Sequence, residues 1–162
     1  MKYKILKSNL NDKQQAYILS KISNLPFEKS EWYGEHSVVI YNQENQSDDS
    51  LFLKAITATA NMLKAKQDFN TIVIRRFKEG QFMTPHTDSR NTVGTSLSII
   101  LGSAEKTNYR FDSETEEICS GDIIIQKCTN GYSMGPHYCM FPVKDGIQYS
   151  VTLSTILKEN PV

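Results

Sequence analysis

The spacing of apolar residues changes character along the chain, from helical in the first part to strand-like in the second. Asn11 can cap a helix running from about Asp12 to Asn24, in which Ile18, Leu19, Ile22 and Leu25 recur at intervals of three and four and Pro26 blocks continuation. His36 to Tyr41 is a short β-branched run, followed by a polar stretch from Asn42 to Ser50 of the kind found in exposed loops. Ser50 can cap a second helix whose apolar face is Leu51, Ala55, Ala58, Met62 and Leu63, before charge takes over at Lys64 to Asp68. From Thr71 onward the apolar runs shorten to strand length: TIVIRRF, TSLSIIL, NYRF, DIIIQK and QYSVTLSTIL. The separators carry Lys78-Glu79-Gly80, Gly102, Gly121, Asn130-Gly131 and Lys144-Asp145-Gly146, which supply turn chemistry. Many short strands behind a helical start predict a mainly β, α+β chain built as a barrel or jelly roll.

The length of 162 residues suits one domain with a single core. Within it, residues 1–70 are expected to give helical support and substrate-side loops, and residues 71–157 the β core. Lys+Arg and Asp+Glu are balanced at 18 each, so there is no broad attraction to nucleic acid or to a membrane surface. The opening MKYKILKSNL lacks the uninterrupted apolar stretch of a signal peptide or membrane span, and a cytoplasmic protein is expected. Cys119, Cys128 and Cys139 have no CxxC spacing and read as reduced thiols that behave as small hydrophobes.

Two of the three histidines fall beside chemistry that suits a metal. In Phe82-Met83-Thr84-Pro85-His86-Thr87-Asp88, the i and i+2 positions put an imidazole and a carboxylate on one side of an extended chain. His137, in Gly135-Pro136-His137, is distant in sequence but readily brought opposite in a closed antiparallel sheet. Two neutral nitrogens and one anionic oxygen on one face of an octahedron leave positions open for a bidentate cosubstrate and dioxygen, the facial-triad logic of non-haem Fe(II) enzymes. His36 has no comparable framework and is given a structural role or a place on a substrate-facing loop.

The run from Arg76 through Gly80 and Pro85 to Ser89 resembles the strand-turn-strand approach to the first two iron ligands of the 2-oxoglutarate- and Fe(II)-dependent oxygenases. Thr95 to Gly102, Gly121 to Ile125, and His137 followed by Pro142 to Gly146 come in the order seen in that family, with most likeness to AlkB-type and prolyl-4-hydroxylase-like enzymes. The resemblance covers about Thr71 to Leu157. It implies a double-stranded β-helix, Fe(II) held by His86, Asp88 and His137, and 2-oxoglutarate as cosubstrate.

The cosubstrate pocket departs from the family pattern. Where members commonly place an Arg or Lys for the distal carboxylate of 2-oxoglutarate, this chain has Gln148, whose amide donates hydrogen bonds but carries no charge. Ser150 matches the serine that often accompanies the basic residue, Ser154 stands where AlkB-type enzymes have a further arginine, and Phe77 replaces a tyrosine. Arg75 shares a strand face with Phe77 and is the first candidate to compensate, with Arg90 second. Arg90 lies where AlkB-type enzymes often use an acidic residue for base recognition, which weakens any carry-over of their specificity.

The resemblance implies a dioxygenase that hydroxylates or demethylates an unidentified substrate: a protein side chain, nucleobase, nucleotide or small metabolite. The alternative is a metal-binding or regulatory module of the same fold without 2-oxoglutarate turnover.

Overall fold

The computed structural model describes residues 2–42, 69–87, 92–128 and 137–157. In chain order its elements are β1 (Tyr3–Leu6), α1 (Asp12–Ile22), β2 (Glu28–Ser30), β3 (Gly34–Asn42), β4 (Thr71–Phe77), β5 (Phe82–His86), β6 (Thr92–Gly102), β7 (Lys106–Phe111), β8 (Glu114–Cys119), β9 (Ile123–Cys128), β10 (Tyr138–Met140) and β11 (Gln148–Ile156). Helix α1 starts where its cap chemistry dictates. Asn11 accepts from the Gln14 amide at 2.8 Å, and the Gln14 side chain accepts from the Asn11 amide at 3.0 Å, a complete capping box. The helix ends at Ile22, two residues short of the sequence expectation, with Ser23 as its C-cap.

The strands form one antiparallel sheet in the order β1-β9-β6-β11-β4-β3-β5-β10-β7-β8, with β2 added on β3. Strand β3 is the corner. Ser37 to Asn42 pair with β4, whereas Gly34 and Glu35 pair with β5, so the sheet turns back on itself and its two halves face each other. Its terminal strands, β1 and β8, are tied by side chains. The Tyr3 ring stacks on Phe111 at 4.3 Å, and the Tyr3 hydroxyl lies 2.6 Å from the Glu114 carboxylate and 2.9 Å from that of Glu116.

Period-two alternation splits the apolar residues between two cores. On β4 and β11, Ile72, Ile74, Tyr149, Val151 and Leu153 face outward and are covered by Ile18, Leu19 and Ile22 of α1. Phe77, Ile100, Tyr109, Phe111, Ile118, Ile124 and Met140 fill the interior between the halves. The result is a curled β-helix with a helix on its outer face, as the strand-length runs predict.

Three strands come from the first 42 residues, so the sheet is not confined to residues 71–157, and β3 holds its two halves together. Strand β1 escapes the sequence pattern because lysines interrupt it, yet Tyr3 and Ile5 reach the interior core. Strand β8, ETEEIC, is half glutamate, as suits an edge that must not recruit another chain. The second helix expected after Ser50 lies outside the described residues, as does nearly all of the polar stretch before it. Cys128 and Cys139 are buried, and Cys119 is half-buried. No helix among the described residues is long and apolar enough to cross a membrane.

Candidate active site

His86 ends β5 and is nearly buried between two aromatic rings, with Tyr33 stacked on it at 4.7 Å and 10° and Tyr138 tilted against it at 4.4 Å. The placement of Tyr33 follows from the backbone. Tyr33 itself has φ +55°, and Gly34 follows at φ +130°, where a Cβ would run into the carbonyl of Phe82. Only glycine permits this close approach of β3 to β5. The Tyr33 carbonyl then accepts from the Thr84 amide at 2.7 Å, which fixes the ring over the histidine. His86 Nδ1 lies 2.6 Å from the Thr84 carbonyl. A carbonyl can only accept, so Nδ1 carries the proton and Nε2 is the basic nitrogen, the tautomer a metal ligand requires.

Tyr138 is the cross-strand partner of His86, which brings His137 to the end of β10 beside the strand that leads to Asp88. His137 is exposed and held by its backbone: its amide donates to Asp112 Oδ1 at 3.1 Å, and its carbonyl accepts from the Asp112 amide at 2.7 Å. The ring that touches His86 is that of Tyr138, because alternation puts Tyr138 rather than His137 in phase with it. Asp88 and Arg90 lie outside the described residues, and among the described residues no group of three ligating side chains converges.

A small cavity of about 30 Å³ lies between the halves of the sheet, and Tyr138, whose ring rests against His86, is part of its wall. Arg75, Ser150 and Tyr138 line it, together with Phe77, Ile100 and Phe111. Arg75 pairs directly with Ser150, so both project into the interior. Arg76 projects the other way, its guanidinium 4.6 Å from the Phe27 ring under α1. Arg75 Nε is buried with no hydrogen-bond partner, and Arg75 makes no salt bridge among the described residues.

Gln148 also faces inward, and its amide is already engaged, donating to the Tyr109 hydroxyl at 2.6 Å and lying 3.0 Å from Met140 Sδ. Burial pushes the Tyr109 hydroxyl well above its ordinary range, so it stays protonated. Ser154 is buried on the same strand, opposite Thr71. His36 is not on a loop: it is buried in β3 with its ring stacked on Phe77 at 5.2 Å.

Tyr33, Tyr109 and Gln126 were not singled out by the sequence reading. Gln126 is buried and lines the cavity, and its amide nitrogen has no partner. Its signal was the polar break it makes at an inward position of the DIIIQK run, in phase with Ile124. Tyr109 had a similar signal, lying in phase with Phe111 in NYRF.

No family model and no curated protein matches the sequence. Solved structures do match. A 2OG-Fe(II) oxygenase family oxidoreductase from Burkholderia pseudomallei superposes with a TM-score of 0.66 at 13% identity, covering 94% of this chain and 84% of its own. The viral collagen prolyl hydroxylase of Paramecium bursaria Chlorella virus-1, solved with 2OG, gives 0.61 at 13% identity, with 96% and 97% covered. OsALKBH1 gives 0.62 at 14%, with 95% and 98% covered. The chain therefore has the jelly-roll fold that these 2OG-Fe(II) oxygenases and hydroxylases share.

Proposed function

We propose that this protein is a non-haem Fe(II)- and 2-oxoglutarate-dependent dioxygenase acting on a C–H bond of a substrate still to be identified. The observation that carries the reading is the guanidinium of Arg75 inside the barrel, with no counter-anion among the described residues. An uncompensated cation in a low-dielectric cavity is costly unless an anion joins it, and 2-oxoglutarate brings a carboxylate to that depth. His86, Asp88 and His137 are the residues that would hold the metal. The donor set fits, since His86 already has Nδ1 tied to the Thr84 carbonyl.

Fe(II), 2-oxoglutarate and dioxygen together would supply the oxidising power for hydroxylation, with succinate and carbon dioxide as coproducts. The chain's own contribution is positional. The Thr84 carbonyl fixes the His86 tautomer, and Tyr33 and Tyr138 fix its ring. Arg75 and Ser150 hold the distal carboxylate of the cosubstrate. Phe77, Ile100, Phe111 and Ile124 keep water from the cavity, and the Tyr109–Gln148 pair closes the end where the family commonly uses a basic residue.

A second reading is a metal-binding or regulatory module without 2-oxoglutarate turnover. It is favoured by Gln148, whose amide is spent on Tyr109 and Met140. Iron content measured together with succinate formation under air decides between them: bound iron with 2-oxoglutarate-dependent succinate supports the oxygenase, and bound iron without it supports the module.

A further inference from the structure

A line of three stacked rings runs from solvent to His86. Trp32 and Tyr33 occupy the turn between β2 and β3, where Ser30 Oγ accepts from the Trp32 amide at 3.3 Å. The Trp32 and Tyr33 rings stack with centroids 5.8 Å apart and planes at 28°, and Tyr33 in turn stacks on His86 at 4.7 Å and 10°. Exposure rises along the line: His86 is nearly buried, Tyr33 is 46% exposed, and Trp32, the only tryptophan of the chain, is 74% exposed. A tryptophan kept for packing would bury its ring, because an indole removes a large apolar area from water. Trp32 leaves most of its surface in solvent and keeps the stacked contact with Tyr33.

Indole and phenol are the side-chain rings that most readily give up an electron, and rings stacked at these separations couple electronically. With Nδ1 tied to the Thr84 carbonyl, a metal at His86 is bound through Nε2, and the imidazole joins it to the stack. The other ring on His86, Tyr138, leads through Phe111 to Tyr3, and a phenylalanine ring resists oxidation. The path through Tyr33 is the one that ends on an oxidisable ring in water, where the indole proton has an acceptor.

We propose that Trp32 and Tyr33 form an outlet for oxidising equivalents, carrying electrons from the surface to the metal at His86 when 2-oxoglutarate is consumed with no substrate to oxidise. The inference rests on the metal and cosubstrate reading above. Trp32 gives up one electron through the Tyr33 and His86 rings, and its indole proton passes to bulk water. Two such transfers, with two protons, take the unused oxidising equivalents of dioxygen to water and leave Fe(II). A soluble one-electron reductant restores Trp32 with one electron and one proton each time. The site is thereby protected from the side oxidations that an enzyme of this chemistry must exclude.

The first test needs no turnover. Excited where tyrosine does not absorb, emission comes from Trp32 alone. The full chain is loaded with Fe(III), which accepts an electron, or with Zn(II), which does not, and unbound metal is removed. The Fe(III) protein is expected to lose most of its emission relative to the Zn(II) protein, through electron transfer from the excited indole, and Tyr33→Leu, which interrupts the stack, is expected to restore it. Equal emission from the two wild-type forms overturns the outlet and leaves the oxygenase reading standing, a comparison that holds even should Tyr33→Leu fail to fold. A folded Tyr33→Leu protein quenched as fully as wild type also overturns it. A second arm supplies Fe(II), 2-oxoglutarate and air, with catalase to remove peroxide and with neither substrate nor reductant, and locates gained oxygen by peptide mass spectrometry. Oxygen is expected on Trp32 in wild type, and several-fold less of it per succinate formed in Tyr33→Leu. Succinate formed with Trp32 unmodified counts against the outlet alone. Wild type that retains no iron, or forms no succinate, overturns the reading and this inference with it.

Discussion

Tyr138 of β10 stands directly across from His86 of β5, ring against ring at 4.4 Å, and so carries His137 to the end of the strand that leads to Asp88. The two histidines differ in their surroundings, and their variants should differ accordingly. His137 is exposed and secured by its backbone, so His137→Ala should leave the melting temperature within the effect of about 0.5 kcal/mol usual for surface changes. His86 is packed between two rings, so His86→Ala should cost about 1–3 kcal/mol as well. Both changes, and Asp88→Ala, are expected to lower Fe(II) affinity by about 100-fold or more. Anaerobic metal titration beside thermal melting checks this, and undiminished affinity in the His137 variant would remove it from the ligand set.

Arg75 and Arg76 are chemically identical neighbours on opposite faces of β4, which makes them a matched pair. Arg75→Ala should weaken 2-oxoglutarate binding by roughly 2–5 kcal/mol, the range for a buried charge pair that loses one partner. Arg76→Ala should leave that binding unchanged and instead lose the contact with Phe27, costing about 0.5–2 kcal/mol of stability. Equal effects of the two variants on binding would contradict the inward orientation of Arg75 as the source of the anchor.

The barrel was legible because its strands are apolar runs punctuated by turn residues, and the five runs fall on β4, β6, β7, β9 and β11, with DIIIQK and QYSVTLSTIL each overrunning its strand by one residue. The inward direction of Gln148 and Ser150 was legible too, since a period of two sets both on one face, whereas between Arg75 and Arg76 it left the choice of face open. What could not be read was the strand whose residues are few or charged. Strand β10 has three residues, and β8 carries four polar or charged ones in six. Tyr33 was hidden for another reason: its position over His86 depends on a left-handed backbone at Tyr33 and Gly34, which no periodicity encodes. The place of His36 depends on pairing between β3 and β4, which are far apart in sequence.

The buried amide of Gln148 should be worth more to stability than an apolar replacement of similar size. Gln148→Leu leaves the Tyr109 hydroxyl buried without its partner, at a cost of about 1–3 kcal/mol. Replacing both, Gln148→Leu with Tyr109→Phe, removes the stranded group and should recover part of that loss. Chemical denaturation of the two single variants and the double variant measures the coupling, and additive losses would mean that the pair does not act as a unit.

Acid should destabilise the fold through His36. His36 in the folded protein is lowered to about 4 by burial first and then by Arg75 and His86, against about 6.5 for an exposed imidazole. Below pH 6.5 the unfolded chain therefore binds a proton at this position that the folded chain does not, and stability rises with pH across that window. The contribution is complete above the unfolded value and is lost as pH falls from about 6.5 toward 4. Carboxylates add their own acid dependence at the lower end, so the informative quantity is the difference between wild type and His36→Asn, whose amide does not titrate. In metal-free protein that difference should change steadily between those two values and level off on either side. Melting curves of the two proteins that run parallel across the window would show that the His36 imidazole is not held neutral by its burial.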